Sequence, residues 1–266
     1  MKLAYPVVEP GGKGNVKAWY GRYEDIFPRL KEMGYDGVEL LVQNPSKTDT
    51  EYLQEELEKN QLTLAAIGTS PMQTEERLFL IHPEAECRKE ARTRCSALLK
   101  LCARYQVPAL VGKYRGQIEE APGCGEEDLE AVLRDICREA ESLNVKILLE
   151  PQNFASINNI NTIEDGLEWI QRLGYSGLGL LTDFYHMGIT ENSIAESLMK
   201  AGNHIGLIHM SDSGRKIPGE GKLPLKKVME TLRKMDYTGF LSPEIEQEPD
   251  SPRAAEGAMK FLKELR

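Results

Sequence analysis

Three segments of this chain repeat one short pattern: LKEMGYDGVELL at 30–41, IQRLGYSGLGLL at 170–181 and LRKMDYTGFLS at 232–242. Each reads as the end of a helix, a turn carrying Tyr and Gly, and a strand, so the chain repeats an αβ connection, which speaks against two unrelated domains. Short apolar runs predict strands at 2–8, 37–42, 62–67, 108–112, 146–150, 178–183, 205–210 and 240–245. Amphipathic stretches between them predict helices at 23–33, 50–60, 85–105, 126–143, 162–173, 191–201, 224–235 and 252–265. Eight strand–helix units in alternation are the signature of a closed parallel (β/α)8, or TIM, barrel, which typically uses about 250 residues. The 266 residues here are expected to form one such α/β domain over 1–266, without a linker or low-complexity boundary.

Composition narrows the functions this barrel can carry. The net charge of -9, with basic residues scattered among the acids, disfavours a broad nucleic-acid footprint and a polybasic membrane surface. Five cysteines without a CxxC pair read as reduced thiols, and no apolar run is long enough to span a bilayer, so the expected location is the cytoplasm.

In such a barrel, catalytic side chains come from the C-terminal ends of several strands. Glu150 ends the fifth predicted strand, Asp183 the sixth and His209 the seventh, while Glu244, with Glu246 as its competitor, lies at the end of the eighth. Any one of these acids alone reads as a helix cap or a solvated loop residue. Together, three carboxylates and an imidazole at one mouth would repel unless a cation lay between them. A donor set rich in oxygen with one nitrogen suits Mn²⁺ first, with Mg²⁺ or Co²⁺ as alternatives.

His186 and Arg215 follow two of these tips. They read either as a structural histidine and a rim arginine, or as ligands for substrate hydroxyl, carbonyl or phosphate oxygens. Lys13 and the pair Tyr114–Arg115 are expected to be solvated, with capture of an anionic end group as the lesser reading; His82 and His204 are expected to be structural or superficial. Loops 9–22, 68–84 and 113–125 are longer than connectors need to be and are expected to cover a substrate. Residues 218–221, PGEG, either shape their loop or cradle a phosphate.

The segments EPQNFASINNINTIEDGLEWI (150–170), TDFYHMGI (182–189), HMSDSGRKIPGEG (209–221) and YTGFLSPEIE (237–246) carry a resemblance that extends over nearly the whole chain. The protein resembles the xylose-isomerase-like sugar isomerases and epimerases, especially the ketose 3-epimerases of the D-tagatose and D-allulose type. That resemblance implies a single divalent metal held by Glu150, Asp183, His209 and Glu244, and substrate contacts from His186 and Arg215. It implies a 3-epimerase that moves a proton through a metal-stabilised cis-enediolate, with Glu150 and Glu244 exchanging general acid and base roles. The partner implied is a small sugar or sugar phosphate, and the assembly a homodimer or homotetramer. Many such epimerases follow EPxN with Arg, an aromatic residue and Glu, where this chain has Phe154, Ala155 and Ser156; that departure points toward a phosphorylated, shortened or modified substrate.

Three other readings share the same residues: an aldose–ketose isomerase, a dehydratase acting on inosose or dehydroshikimate, and a non-catalytic barrel that binds a sugar. Asp212 is expected to order its loop, because strands five, six and eight already supply three carboxylates.

Overall fold

The computed structural model describes residues 1–13 and 15–264. Position 14 of the first long loop and position 265 of the last predicted helix fall outside the described residues. Strands β1 (Lys2–Val8), β2 (Gly37–Leu41), β3 (Thr63–Gly68), β4 (Ala109–Val111), β5 (Ile147–Leu149), β6 (Leu178–Asp183), β7 (Ile205–His209) and β8 (Phe240–Ser242) close into a ring in sequence order. Every neighbouring pair is parallel, and β8 returns to β1 through Lys2 and Leu3. The expected (β/α)8 barrel is the observed one.

Helices α1 (Tyr23–Met33), α2 (Thr50–Asn60), α3 (Ser70–Glu76), α4 (Ala85–Tyr105) and α5 (Glu126–Ser142) accompany the first half of the ring. The second half carries α6 (Ile163–Leu173), α7 (Phe184–Thr190), α8 (Ile194–Ala201), α9 (Leu225–Lys234) and α10 (Ser251–Glu264). Two short helices, α3 and α7, lie where loops were expected. The predicted helix at 191–201 begins only at Ile194, because the Ser193 hydroxyl accepts from Glu196 N–H and caps a new helix there. The predicted eighth strand stops at Ser242 and not at 245, since Pro243 has no N–H to continue the ladder. None of the helices among the described residues is long and apolar enough to cross a membrane.

The interior of the ring is filled by Leu110, Leu148, Leu181 and Leu207 with Ala4, Ala65 and Ala66, all buried. Each of those leucines contributes roughly 1.5–3 kcal/mol by its removal from water. Strand side chains alternate faces, so the residue two positions further on lies on the same inner wall, one layer higher. Leu148 therefore leads to Glu150, Leu181 to Asp183 and Leu207 to His209; Phe240, which packs against this plug, leads through Ser242 to Glu244. The opposite faces of the strands pack with the helices into the larger apolar layer, which holds Val38, Leu40, Leu149, Leu180 and Ile208. Four of the five cysteines are buried, and burial pushes the Cys95 and Cys137 thiols up to about 12.

Candidate metal centre and catalytic mouth

Above the leucine plug the inner wall turns from apolar to ionisable. One donor atom from each of Glu150, Asp183, His209 and Glu244 lies within 4.8 Å of all the others. The register explains their level, since Asp183 pairs with His209 and His209 with Ser242 across adjacent strands. His209 Nδ1 lies 3.8 Å from Glu150 Oε1, 3.7 Å from Asp183 Oδ2 and 3.7 Å from Glu244 Oε2. Glu150 Oε1 and His209 Nδ1 are buried without a hydrogen-bond partner among the described residues. Buried lone pairs left in this way are costly unless something satisfies them, and a divalent cation fits three carboxylates and one imidazole.

The choice between Glu244 and Glu246 is decided by distance. Glu246 turns away to pair with Lys17 at 2.7 Å, leaving Glu244 with the group. Asp183 does two things at once: its Oδ1 accepts from Tyr185 N–H at 2.8 Å, capping α7, while its Oδ2 faces the group. The capping alternative is thus correct without displacing the inward role.

His186 lies on α7, with its Nδ1 2.7 Å from the Asn153 side-chain amide and its Nε2 3.2 Å from Arg215 Nη2. Arg215 donates from Nη1 to Asp183 Oδ2 at 2.6 Å and forms an ion pair with Glu244 Oε2, also at 2.6 Å, and its guanidinium lies 4.5 Å from the Tyr185 ring centre. Five of these six residues line one cavity of about 340 Å³, together with Lys17, Gln73, Lys113 and Tyr185, and Asp183 lies buried directly behind them, bonded to Arg215. Arg215 is held at φ 60°, directly after Gly214 at φ 73°, and backbone strain of this kind in a non-glycine residue is typically found at functional sites.

Burial pushes the Glu150 carboxyl up to about 8; the Asp183 and Glu244 carboxylates push in the same direction, and His209 opposes them. Burial also raises Glu244, against the pull of Arg215. For Asp183 burial acts upward, but the Arg215 guanidinium and the neighbouring histidines outweigh it and hold the group below the usual carboxylate range. His186 is lowered to about 4 by burial and is neutral at physiological pH. His209 is held well above its ordinary value, because Glu39 and Glu244 outweigh the effect of burial.

Glu39 is the residue that sequence reasoning missed. It lies on β2 with 1% of its surface exposed, and its Oε2 is 3.0 Å from His209 Nε2. A carboxylate on the far nitrogen fixes the ring orientation and leaves Nδ1 facing the group. The available signal was a lone acid inside the strand GVELL, on the inward parity.

A second correction concerns Tyr114 and Arg115, expected to be solvated. Both are buried. The Arg115 guanidinium donates to the carbonyls of Gly112, Glu150, Asn159 and Ile160 and to Asn159 Oδ1, so it clamps the turn after β4 to the loop after β5 and has nothing left for an anion. Lys13 and His204 are exposed as expected, and His82 accepts from Glu84 N–H beside α4. Asp212 accepts from Ser213, Gly219 and Leu223 N–H, which orders its own loop and makes PGEG a shaping element.

The family profile described as xylose isomerase-like TIM barrel matches residues 27–265. The chain belongs to that family. Among curated relatives, the D-psicose 3-epimerase of Ruminiclostridium cellulolyticum is 26% identical over 233 residues, 83% of this chain and 77% of the relative. The probable ketose 3-epimerase of a Synechocystis species is 25% identical over 231 residues, 85% of this chain and 79% of that protein. Among solved barrels, the 3-keto-D-glucoside 4-epimerase of E. coli superimposes with a TM-score of 0.81 at 20% identity, covering 99% of both chains.

Proposed function

We propose that this protein is a divalent-metal-dependent ketose 3-epimerase acting on a small sugar or sugar phosphate. The observation that carries the reading is the pair Glu150 and Glu244. They follow strands separated by β6 and β7 in the ring, so they approach one cavity from different sides while both remain within 4.8 Å of the same donor atoms. The 3-epimerases among the relatives make C3 of a ketose the natural reaction centre.

Glu150, Asp183, His209 and Glu244 would hold the cation, Mn²⁺ by the donor set, and bound there it would supply Lewis-acid stabilisation of the charge that develops on the carbonyl oxygen. One glutamate removes the proton from C3 and the other returns a proton on the opposite face, which inverts that carbon. Neutral His186 and the charged Arg215 fork hold substrate oxygens beside the two carboxylates, and the apolar plug below closes the site to bulk water.

The test is proton–deuterium exchange followed by NMR on a panel of ketoses with the Mn²⁺-loaded protein. Exchange at C3 with formation of the epimer is expected, and Glu150→Gln and Glu244→Gln should each lower turnover by at least about 1,000-fold while the fold is kept. Exchange at C1 instead would make the enzyme an aldose–ketose isomerase, and loss of water would make it a dehydratase. Ligand-induced stabilisation without any product would leave a binding protein.

A further inference from the structure

The charges around the cavity are paired with one exception. Glu39 faces His209, Asp183 and Glu244 share Arg215, Glu246 takes Lys17, and Glu150 Oε2 accepts from the Gln152 amide at 2.6 Å. Lys113 also lines the cavity, is half-buried, and its ammonium has no hydrogen-bond or ion-pair partner among the described residues. A half-buried ammonium that lines a pocket and has no counter-ion from the protein is free to pair with an anionic group of a ligand.

Its backbone is held by three neighbouring contacts. Lys113 opens the short turn Lys113–Arg115, in which Arg115 is clamped as described and the Tyr114 hydroxyl donates to Ala91 O at 2.6 Å. Leu80 N–H donates to Tyr114 O at 2.8 Å, which ties this turn to the loop after β3. Helix α3 packs on the turn and brings Gln73 to the same cavity wall, while Ser156 arrives from the loop after β5. An ammonium that shares its cavity with an amide and hydroxyls and has no carboxylate bonded to it offers the donors that an oxyanion needs.

We infer that the physiological substrate is an acidic ketose, bearing a phosphate ester or a carboxylate, and that Lys113 recognises this anionic group at the β3–β4 side of the mouth. The inference rests on the epimerase reading and specifies its substrate class. Lys113 is a specificity-determining residue and takes no part in the proton transfer.

The experiment compares D-fructose, D-fructose 6-phosphate and D-fructuronate as substrates of the Mn²⁺-loaded protein, scored by exchange at C3. An anionic ketose should exceed the neutral one in kcat/KM, and the phosphate and carboxylate arms identify which group is read. Lys113→Met should shrink the anionic-to-neutral ratio by about 10- to 100-fold through KM, and Lys113→Arg should keep most of it. A preference for the neutral sugar, or a ratio unchanged in Lys113→Met, overturns the inference. If no ketose exchanges, the epimerase reading fails by itself, and the anion claim is decided by calorimetry with D-glucitol 6-phosphate, D-gluconate and D-glucitol. Tighter, salt-sensitive binding of an anion that is lost in Lys113→Met supports the claim; equal binding by both proteins overturns it.

Discussion

The imidazole of His209 is held from behind by a carboxylate that comes from the far side of the ring. Glu39 and His209 are separated by 170 residues in sequence and 3.0 Å in space. Such outer carboxylates orient a metal-binding histidine and raise its basicity, and losing one typically weakens metal affinity about 10–100-fold. Glu39→Gln is therefore expected to weaken Mn²⁺ binding by that factor, measured by calorimetry on the metal-free protein. Unchanged affinity would reduce Glu39 to a partner in folding. Gly112 shows the same dependence on near neighbours, because a Cβ there would lie 2.5 Å from Glu150 Oε2 and displace that carboxylate.

At the scale of elements, the strand ends are fixed by the loops that follow them. The segment after β5 is rich in asparagine, and its side chains are used: Asn161 donates to the carbonyls of Gln152 and Ile157, each at 2.7 Å, and Asn159 bonds Arg115 and Gly116. Ile160 is held at φ 48°, strained for a β-branched residue, while its carbonyl accepts from both Arg115 and Gln152 N–H. Burial lowers Arg115 to about 10, which still leaves it charged at neutral pH. Arg115→Met would remove a donor from four carbonyls, of which Gly112 and Ile160 keep a backbone N–H partner while those of Glu150 and Asn159 lose the guanidinium bond, and is expected to destabilise the protein by about 3–5 kcal/mol in urea unfolding. A loss below about 1 kcal/mol would show that the two loops close without this clamp.

For the molecule as a whole, the raised groups link metal, protons and stability. Glu150 has a folded pKa of about 8 against an ordinary value near 4.5, so the folded state binds more protons between those values. Stability from this group falls as pH rises through that window, and raised His209 acts in the same sense above about 6.5. Asp183, lowered by Arg215, acts oppositely and loses its contribution only in acid. A bound dication displaces the extra protons, so the increase in Tm on adding Mn²⁺ should be larger at pH 8 than at pH 6. Differential scanning calorimetry at the two pH values checks this, and an equal increment at both would show that these protons stay on.

Much of this organisation follows from local pattern. Alternating periods of two and 3.6 mark the barrel, and the inward parity of Leu148, Leu181 and Leu207 carries forward to Glu150, Asp183 and His209. The sequence by itself thus determined the ring and three of its four converging side chains, because strand periodicity depends only on near neighbours. Glu244 and Glu246 share one parity, and only the stop at Pro243 and the pull of Lys17 separate them. The role of Glu39 and the burial of Arg115 depend on partners far away in sequence, and Lys113 faces the common cavity with no side-chain partner among the described residues. Those were decided by closure of the barrel, which sets distances between residues that no local period relates.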